Sequence, residues 1–263
     1  MIKLKTPKDL EIMKKGGEIL SEILFLTLSK VRAGVSLLEL DKFAENEILK
    51  RNAQPAFKRV KGYQWTICAC VNDVVVHGIP DPYIIQPGDV VGVDCGVYFL
   101  GFNTDASWTI RVEGGENAVL KDRFLAAGQN ALLSALKKVT IGNYIYDISR
   151  SMQDSIEKEG YSIVRTLVGH GVGRDLHEEP EIPNFVTLDR EKTPLIKEGM
   201  TLAVEIIYNL GGRDVVYKGN DGWTIATKDG RISGLFEATV VPTFHGCLVL
   251  TKLDSILEKF SYH

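Results

Sequence analysis

The feature that most constrains this chain is that it repeats its own arrangement of apolar segments and acids. Gly88 is followed six residues later by Asp94, within Gly-Asp-Val-Val-Gly-Val-Asp, and Gly199 six residues later by Glu205, within Gly-Met-Thr-Leu-Ala-Val-Glu. Asp105-Ala106-Ser107 has its echo in Glu237-Ala238-Thr239, and Val31 to Gly34 in Val139 to Gly142. His77-Gly78-Ile79 finds a match in His170-Gly171-Val172. Self-similarity of this kind sets the architecture before any single element does. Each half is expected to be a helix pair followed by antiparallel strands, an α+β arrangement. The halves, about 6–115 and 116–250, carry no linker-like composition between them. They are expected to form a single domain, 1–263, around one central site.

Local signals divide each half. Thr6-Pro7 opens a helix, with Thr6 as cap and Pro7 in the first helical position, and apolar spacing carries it from Leu10 to Val31. Ser36 and Glu39 form a capping box before a helix over Leu37 to Arg51. From Thr66 to Val112, valine-rich runs broken at Gly78-Ile79-Pro80 and Gln86-Pro87-Gly88 predict sheet. Helices are expected again over Asn117 to Val139 and Tyr144 to Glu159, then sheet from Ser162 to the C-terminus. The proline-bearing stretch Glu179 to Pro194 is expected to be loop.

At 263 residues, with 44% hydrophobic and 25% charged, the chain has ample material for a core. A net charge of -3 argues against a nucleic-acid coat. The longest apolar patch, Ile19 to Leu28, is interrupted by Ser21, Glu22 and Thr27, well short of the roughly 18 apolar residues of a membrane span. The N-terminus has no apolar signal region. Cys68, Cys70, Cys95 and Cys247 have neither disulfide-framework nor zinc-knuckle spacing and are expected to be reduced thiols of a cytoplasmic protein.

Asp94, Asp105, Glu205 and Glu237 each lie in or beside an apolar strand segment. Singly, each could face solvent from an edge strand. Converging from matching points of two halves, they would repel one another without cations. With His170, held in Leu167-Val168-Gly169-His170-Gly171-Val172-Gly173, they make a hard, oxygen-rich site suited to manganese, iron(II) or cobalt. Bridging carboxylates can hold two such ions roughly 3.5–4 Å apart. The glycine spacing around His170 is not that of a dinucleotide loop. His177-Glu178-Glu179-Pro180 is not the two-histidine zinc helix, because the second histidine is absent and Pro180 breaks helicity. His177 and His77 are therefore expected to contact substrate rather than metal.

Four segments carry a family resemblance: Val71 to Pro80, Gly169 to Arg174, His177 to Pro180 and Glu198 to Thr201. The chain resembles the methionine aminopeptidases, within the pita-bread fold metallopeptidases, from Thr6 to about Thr243. Glu205 lies only 28 positions beyond His177, too near for the helical insertion of the type II enzymes, so the type I bacterial form is the nearest likeness. The resemblance implies two pseudo-symmetric halves around a dinuclear metal site that removes the N-terminal methionine of nascent polypeptides. It implies that Asp94 holds one ion, Asp105 and Glu237 bridge, and His170 and Glu205 complete the other. Glu205 would accept the proton of the attacking water, and His77 and His177 would stabilise the tetrahedral intermediate. Phe57, Tyr63, Cys68 and Trp223 would line the methionine pocket. The same likeness implies a small second residue; a monomer is the default expectation, and the net charge leaves room for a transient ribosome contact. The chain departs from the family pattern at Asn103 and Thr104, Leu176, Ala238 and the shortened Lys61-Gly62-Tyr63 segment. Two alternatives stand beside this reading: a metal-free pita-bread binding protein associated with ribosome or RNA, and an Xaa-Pro aminopeptidase.

Overall fold

The computed structural model describes residues 1–262. The helix-opening signals act as expected. Thr6 Oγ1 accepts from the Asp9 amide while the Asp9 carboxylate accepts from the Thr6 amide, starting α1 (Pro7–Leu28); Ser36 and Glu39 do the same for α2 (Leu37–Lys50). Helix α1 stops at Leu28, short of Val31, where the Thr27 and Ser29 hydroxyls bond back to carbonyls of the last turn.

The strands follow: β1 (Gln54–Pro55), β2 (Ile67–Val71), β3 (Val74–Val76), β4 (Val90–Phe99) and β5 (Phe102–Arg111). Helices α3 (Ala118–Leu136) and α4 (Ile145–Lys158) open the second half. Then come β6 (Ser162–Ile163), β7 (Val168–Gly171), β8 (Glu178–Pro183), β9 (Leu202–Asn209), β10 (Val215–Tyr217), β11 (Ile225–Thr227), β12 (Ser233–Thr243), β13 (Gly246–Val249) and α5 (Asp254–Phe260). The main sheet runs β1-β4-β5-β12-β9-β7-β8, with β2 on β4, β6 on β9 and β13 on β12; β10, β11 and β3 form a small second sheet. All named pairings are antiparallel.

Strand alternation decides what the sheet does. On one face Val93, Trp108, Ile206 and Phe236 pack with Leu20, Ile23, Phe124 and Ile148 of the helices in one continuous core. On the other face, at one level across four strands, stand Asp94, Ser107, Glu237 and Glu205, because Asp94 is opposite Ser107, Ser107 opposite Glu237, and Glu237 opposite Glu205. The helices thus cover the apolar side and leave the acids on the other.

Helix α3 comes close to the sheet at Gly128. A Cβ there would lie 2.5 Å from the Tyr208 ring and 2.6 Å from Phe236, while Tyr208 is fixed by donating to the Phe124 carbonyl at 2.6 Å. Gly128→Ala is expected to lower stability by about 1–3 kcal/mol through overpacking, beyond the small propensity gain of alanine in a helix. A denaturant midpoint at or above wild type would contradict that close approach.

Strand register also corrects one correspondence. Cys70 lies opposite Gly92 of β4, two residues before Asp94; His170 lies opposite Ala203 of β9, two residues before Glu205. The first-half counterpart of His170 is therefore Cys70, not His77. His77, seven residues beyond Cys70, matches His177, seven beyond His170. The short His-Gly-aliphatic likeness was misleading because it ignored which residues face which strand.

Two further expectations change. The segment Glu179 to Pro194 is not all loop, because β8 occupies its start, with Pro180 and Ile182 buried on alternate positions. Strand β8 is the edge of the main sheet, where a residue without an N–H is tolerated. The C-terminal region ends in helix α5 rather than sheet, with Phe260 packed on Phe25 of α1 at 6.0 Å between ring centroids. Seven residues are too few to display helical periodicity. No helix among the described residues is long and apolar enough to cross a membrane.

Candidate active site

The acid-bearing face forms the floor of a cleft of about 530 Å³. Asp94 projects from β4, Asp105 from β5, Glu205 from β9, Glu237 from β12 and His170 from β7. Ligand atoms of Asp105, His170 and Glu237 lie within 4.8 Å of one another. His170 Nε2 is 4.0 Å from Asp105 Oδ2 and 3.9 Å from Glu237 Oε1. Glu205 is paired directly with Glu237, and residues so paired have Cβ atoms roughly 5 Å apart. Asp94 faces the same space from the other side of Asp105, two residues out of register.

This cluster is electrostatically costly by itself. Burial pushes the Asp94 carboxyl up to about 7. Burial, then the charges of Asp94 and Glu205, raise Asp105 well above the carboxylate range. Burial and Asp94 do the same to Glu205, and burial with Asp105, Glu205 and Asp94 to Glu237. No lysine or arginine lines the cleft among the described residues. Asp94 Oδ1 and Asp105 Oδ1 are buried with no hydrogen-bond partner among them. Buried acids without cationic side chains beside them, and with oxygens left unpartnered, are what a divalent-cation site requires of the protein.

The imidazole fits the same purpose. Burial, with a contribution from His177, lowers the His170 pKa to about 3, so the ring is neutral. Its Nδ1 lies 2.9 Å from the Gly171 carbonyl, to which it donates, so Nε2 keeps its lone pair towards Asp105 and Glu237.

His77 and His177 stand on the cleft wall. The rings of His170 and His177 are 4.4 Å apart and nearly perpendicular. Burial and the neighbouring His177 lower the His77 pKa, and burial lowers that of His177 even though its edge opens to solvent. Each is a neutral ring with one N–H to give near pH 7. His77 adopts φ of 54°, a strained setting for a residue with a Cβ. The turn is held because Gly78 abuts β2: a Cβ on it would lie 2.3 Å from the Ala69 carbonyl oxygen.

Beside the acids, Phe57, Tyr63, Cys68, Leu176 and Trp223 form an apolar cluster. Tyr63 donates its hydroxyl to the Ile67 carbonyl at 2.8 Å, with Cys68 Sγ 3.2 Å from the same oxygen, and meets Trp223 edge-on at 5.2 Å and Phe57 at 6.3 Å. Trp223 in turn meets His77 at 6.4 Å.

Every residue singled out from the sequence lines this one cleft: the five candidate ligands, His77, His177, Phe57, Tyr63, Cys68 and Trp223. Sequence reasoning missed the apolar lining residues Val60, Leu167 and Ile207, which look like ordinary core positions. It also missed Lys5 and Glu178, whose side chains pair in the interior beneath His177, 173 residues apart in the chain.

The metallopeptidase family M24 model matches residues 11–241. The methionine aminopeptidase of Clostridium perfringens is 39% identical over 253 residues, covering 96% of this chain and 100% of that one. The crystal structure of methionine aminopeptidase from Thermotoga maritima superposes with a TM-score of 0.91 at 35% identity, covering 96% of this chain and 100% of that chain. The prolidase of Pyrococcus horikoshii shares the fold, with a TM-score of 0.74 at 22% identity, but this chain covers only 63% of it.

Proposed function

This chain belongs to metallopeptidase family M24, and from that premise we propose that its cleft removes the N-terminal methionine of polypeptides with two divalent cations held by Asp94, Asp105, His170, Glu205 and Glu237. The fold is the pita-bread fold of its methionine aminopeptidase relatives, and the activity is that of a metal-dependent methionyl aminopeptidase. Asp94, Asp105, His170, Glu205 and Glu237 would hold the cations, with Asp105 and Glu237 placed between the Asp94 side of the cleft and the His170 and Glu205 side. When bound, the cations would supply Lewis acidity at the scissile carbonyl and would bring the pKa of the attacking water towards neutrality. A hard donor set of four carboxylates and one imidazole suits cobalt, manganese or iron(II).

The remaining work falls to the side chains. Glu205 takes the proton from the attacking water and delivers it to the leaving amine. His77 and His177, neutral and pointed into the cleft from counterpart positions, donate hydrogen bonds to the scissile amide as its oxygen gains charge. Phe57, Tyr63, Cys68 and Trp223 offer the methionine thioether an aromatic and sulfur-lined wall, a favourable surface for polarizable sulfur.

The observation that carries this reading is the convergence of four carboxylates and one imidazole from matching strands in a cleft that no lysine or arginine lines among the described residues. It is tested by assaying metal-reconstituted protein on Met-Ala-Ser, Met-Leu-Ser and Ala-Pro peptides. Methionine release from Met-Ala-Ser is expected to exceed turnover of either other peptide by about a hundredfold or more, the scale on which a tight pocket rejects a poorly fitting side chain. Preferential cleavage of Ala-Pro, or release that survives complete chelation, overturns it.

A further inference from the structure

The loop between His170 and His177 is gripped from beneath by the N-terminal segment. Lys5 donates from its amide to the Gly199 carbonyl at 2.7 Å, and its Nζ lies 2.5 Å from Glu178 Oε2 and 3.0 Å from the Lys3 carbonyl. Both side chains are enclosed, 5% exposed for Lys5 and 2% for Glu178. Glu178 follows His177 directly, and its second oxygen accepts from the Asp175 amide at 3.2 Å, closing the loop on itself. Asn103 holds the same loop from the β4–β5 hairpin, through its Nδ2 to the carbonyls of Gly173 at 2.9 Å and Arg174 at 3.1 Å.

Two glycines make room for this arrangement. A Cβ on Gly173 would stand 2.4 Å from Lys5 Cε and 2.9 Å from Glu178 Oε1; one on Gly199 would stand 2.9 Å from the Lys5 carbonyl oxygen. A buried ion pair is a weak source of stability, because desolvation of both charges offsets most of their attraction. What it does supply is direction. The Lys5 ammonium offers Glu178 one low-energy place, and His177 is one residue from it.

We propose that Lys5, through Glu178, is a positioning residue that sets the placement of His177 in the cleft. The proposal rests on the role given to His177 above. Without the ammonium, Glu178 leaves its enclosed place for water and draws the His177 end of the loop with it. Substrate binding through the apolar wall is untouched, whereas the hydrogen bond made as charge develops is lost. Removing a group that orients a site residue in this way typically costs 10–100-fold.

The experiment compares Lys5→Met, which keeps the length of the side chain, with the double variant Lys5→Met/Glu178→Gln, which leaves no buried charge and keeps an acceptor for Asp175. In Lys5→Met, kcat on Met-Ala-Ser is expected to fall about 10–100-fold with KM within about twofold, while calorimetric manganese affinity stays at the wild-type value. The double variant is expected to regain thermal stability and to keep the low kcat. A purely structural pair would restore both together. Should the single variant fail to fold, the double variant carries the comparison. In zinc-loaded protein labelled with 15N-histidine, the His177 ring resonances are expected to shift in both variants while those of exposed His245 stay fixed, a result independent of turnover. Wild-type protein inactive on Met-Ala-Ser would count against the reaction, not against the tether. A wild-type kcat in Lys5→Met, recovery of kcat with stability in the double variant, or an unmoved His177 signal overturns the proposal.

Discussion

Asp105→Asn is expected to abolish turnover, with a fall in kcat of roughly a thousandfold or more, while leaving the metal-free protein as stable as wild type or slightly more so. The two halves of that expectation have one cause. Asp105 is 4% exposed and stands beside Asp94 and Glu205, so burial first and those charges second raise its pKa well above the usual range and favour its protonated form in the metal-free fold. Asparagine matches a protonated aspartic acid in shape and charge, and the fold therefore loses nothing by the exchange. The reaction would lose the carboxylate charge proposed to hold the cations, and removal of a group that acts as part of a unit typically abolishes most of what the whole unit contributes. Released methionine in a metal-reconstituted assay and a thermal melt of the metal-free protein measure the two effects. Wild-type turnover in this variant counts strongly against the bridging role.

Metal removal should make the protein's stability fall as pH rises from 6.5 to 8. The sign follows from which state binds more protons. Unfolded, the acids titrate near pH 4; folded and metal-free, Asp94 titrates at about 7, and Asp105, Glu205 and Glu237 well above their ordinary values. Their stabilising contribution is therefore complete below pH 4 and is lost as pH rises through the folded values. The histidines act in the opposite sense: His77, His170 and His177 have lowered folded pKa values, so the unfolded chain binds more protons below about pH 6.5. Above pH 6.5 that opposition fades and the acids dominate. Stopping at pH 8 keeps the buried thiols of Cys68, Cys70 and Cys95, all raised by burial, out of the balance. The metal-free midpoint is expected to drop by about 5 °C or more across the window, since a few kcal/mol moves a protein of this size by that much. Saturating manganese should remove most of the drop, because cations bind the deprotonated acids and their contribution, about 2.7 kcal/mol at a hundred times Kd, therefore grows as pH rises. A metal-free midpoint that rises over this window would show that the acids do not share one buried site.

The glycine-to-acid spacing repeated at Gly88–Asp94 and Gly199–Glu205 was readable because strand alternation converts a fixed spacing into a fixed face. The caps at Thr6 and Ser36 were readable because they act within four residues. Strand β8 was hidden because its prolines look like loop, and only its place at the sheet edge makes them tolerable. Helix α5 was hidden because its seven residues depend on packing against α1 rather than on their own periodicity.

The sequence by itself determined the four long helices, the longer strands, the duplicated acids and the imidazole that joins them, since local propensity and periodicity are properties of neighbouring residues. Only the tertiary structure decided that His77 and His177 are the matched pair, because that correspondence lies in strand register. It alone joined Lys5 to Glu178, because a contact spanning 173 residues leaves no local mark on either end.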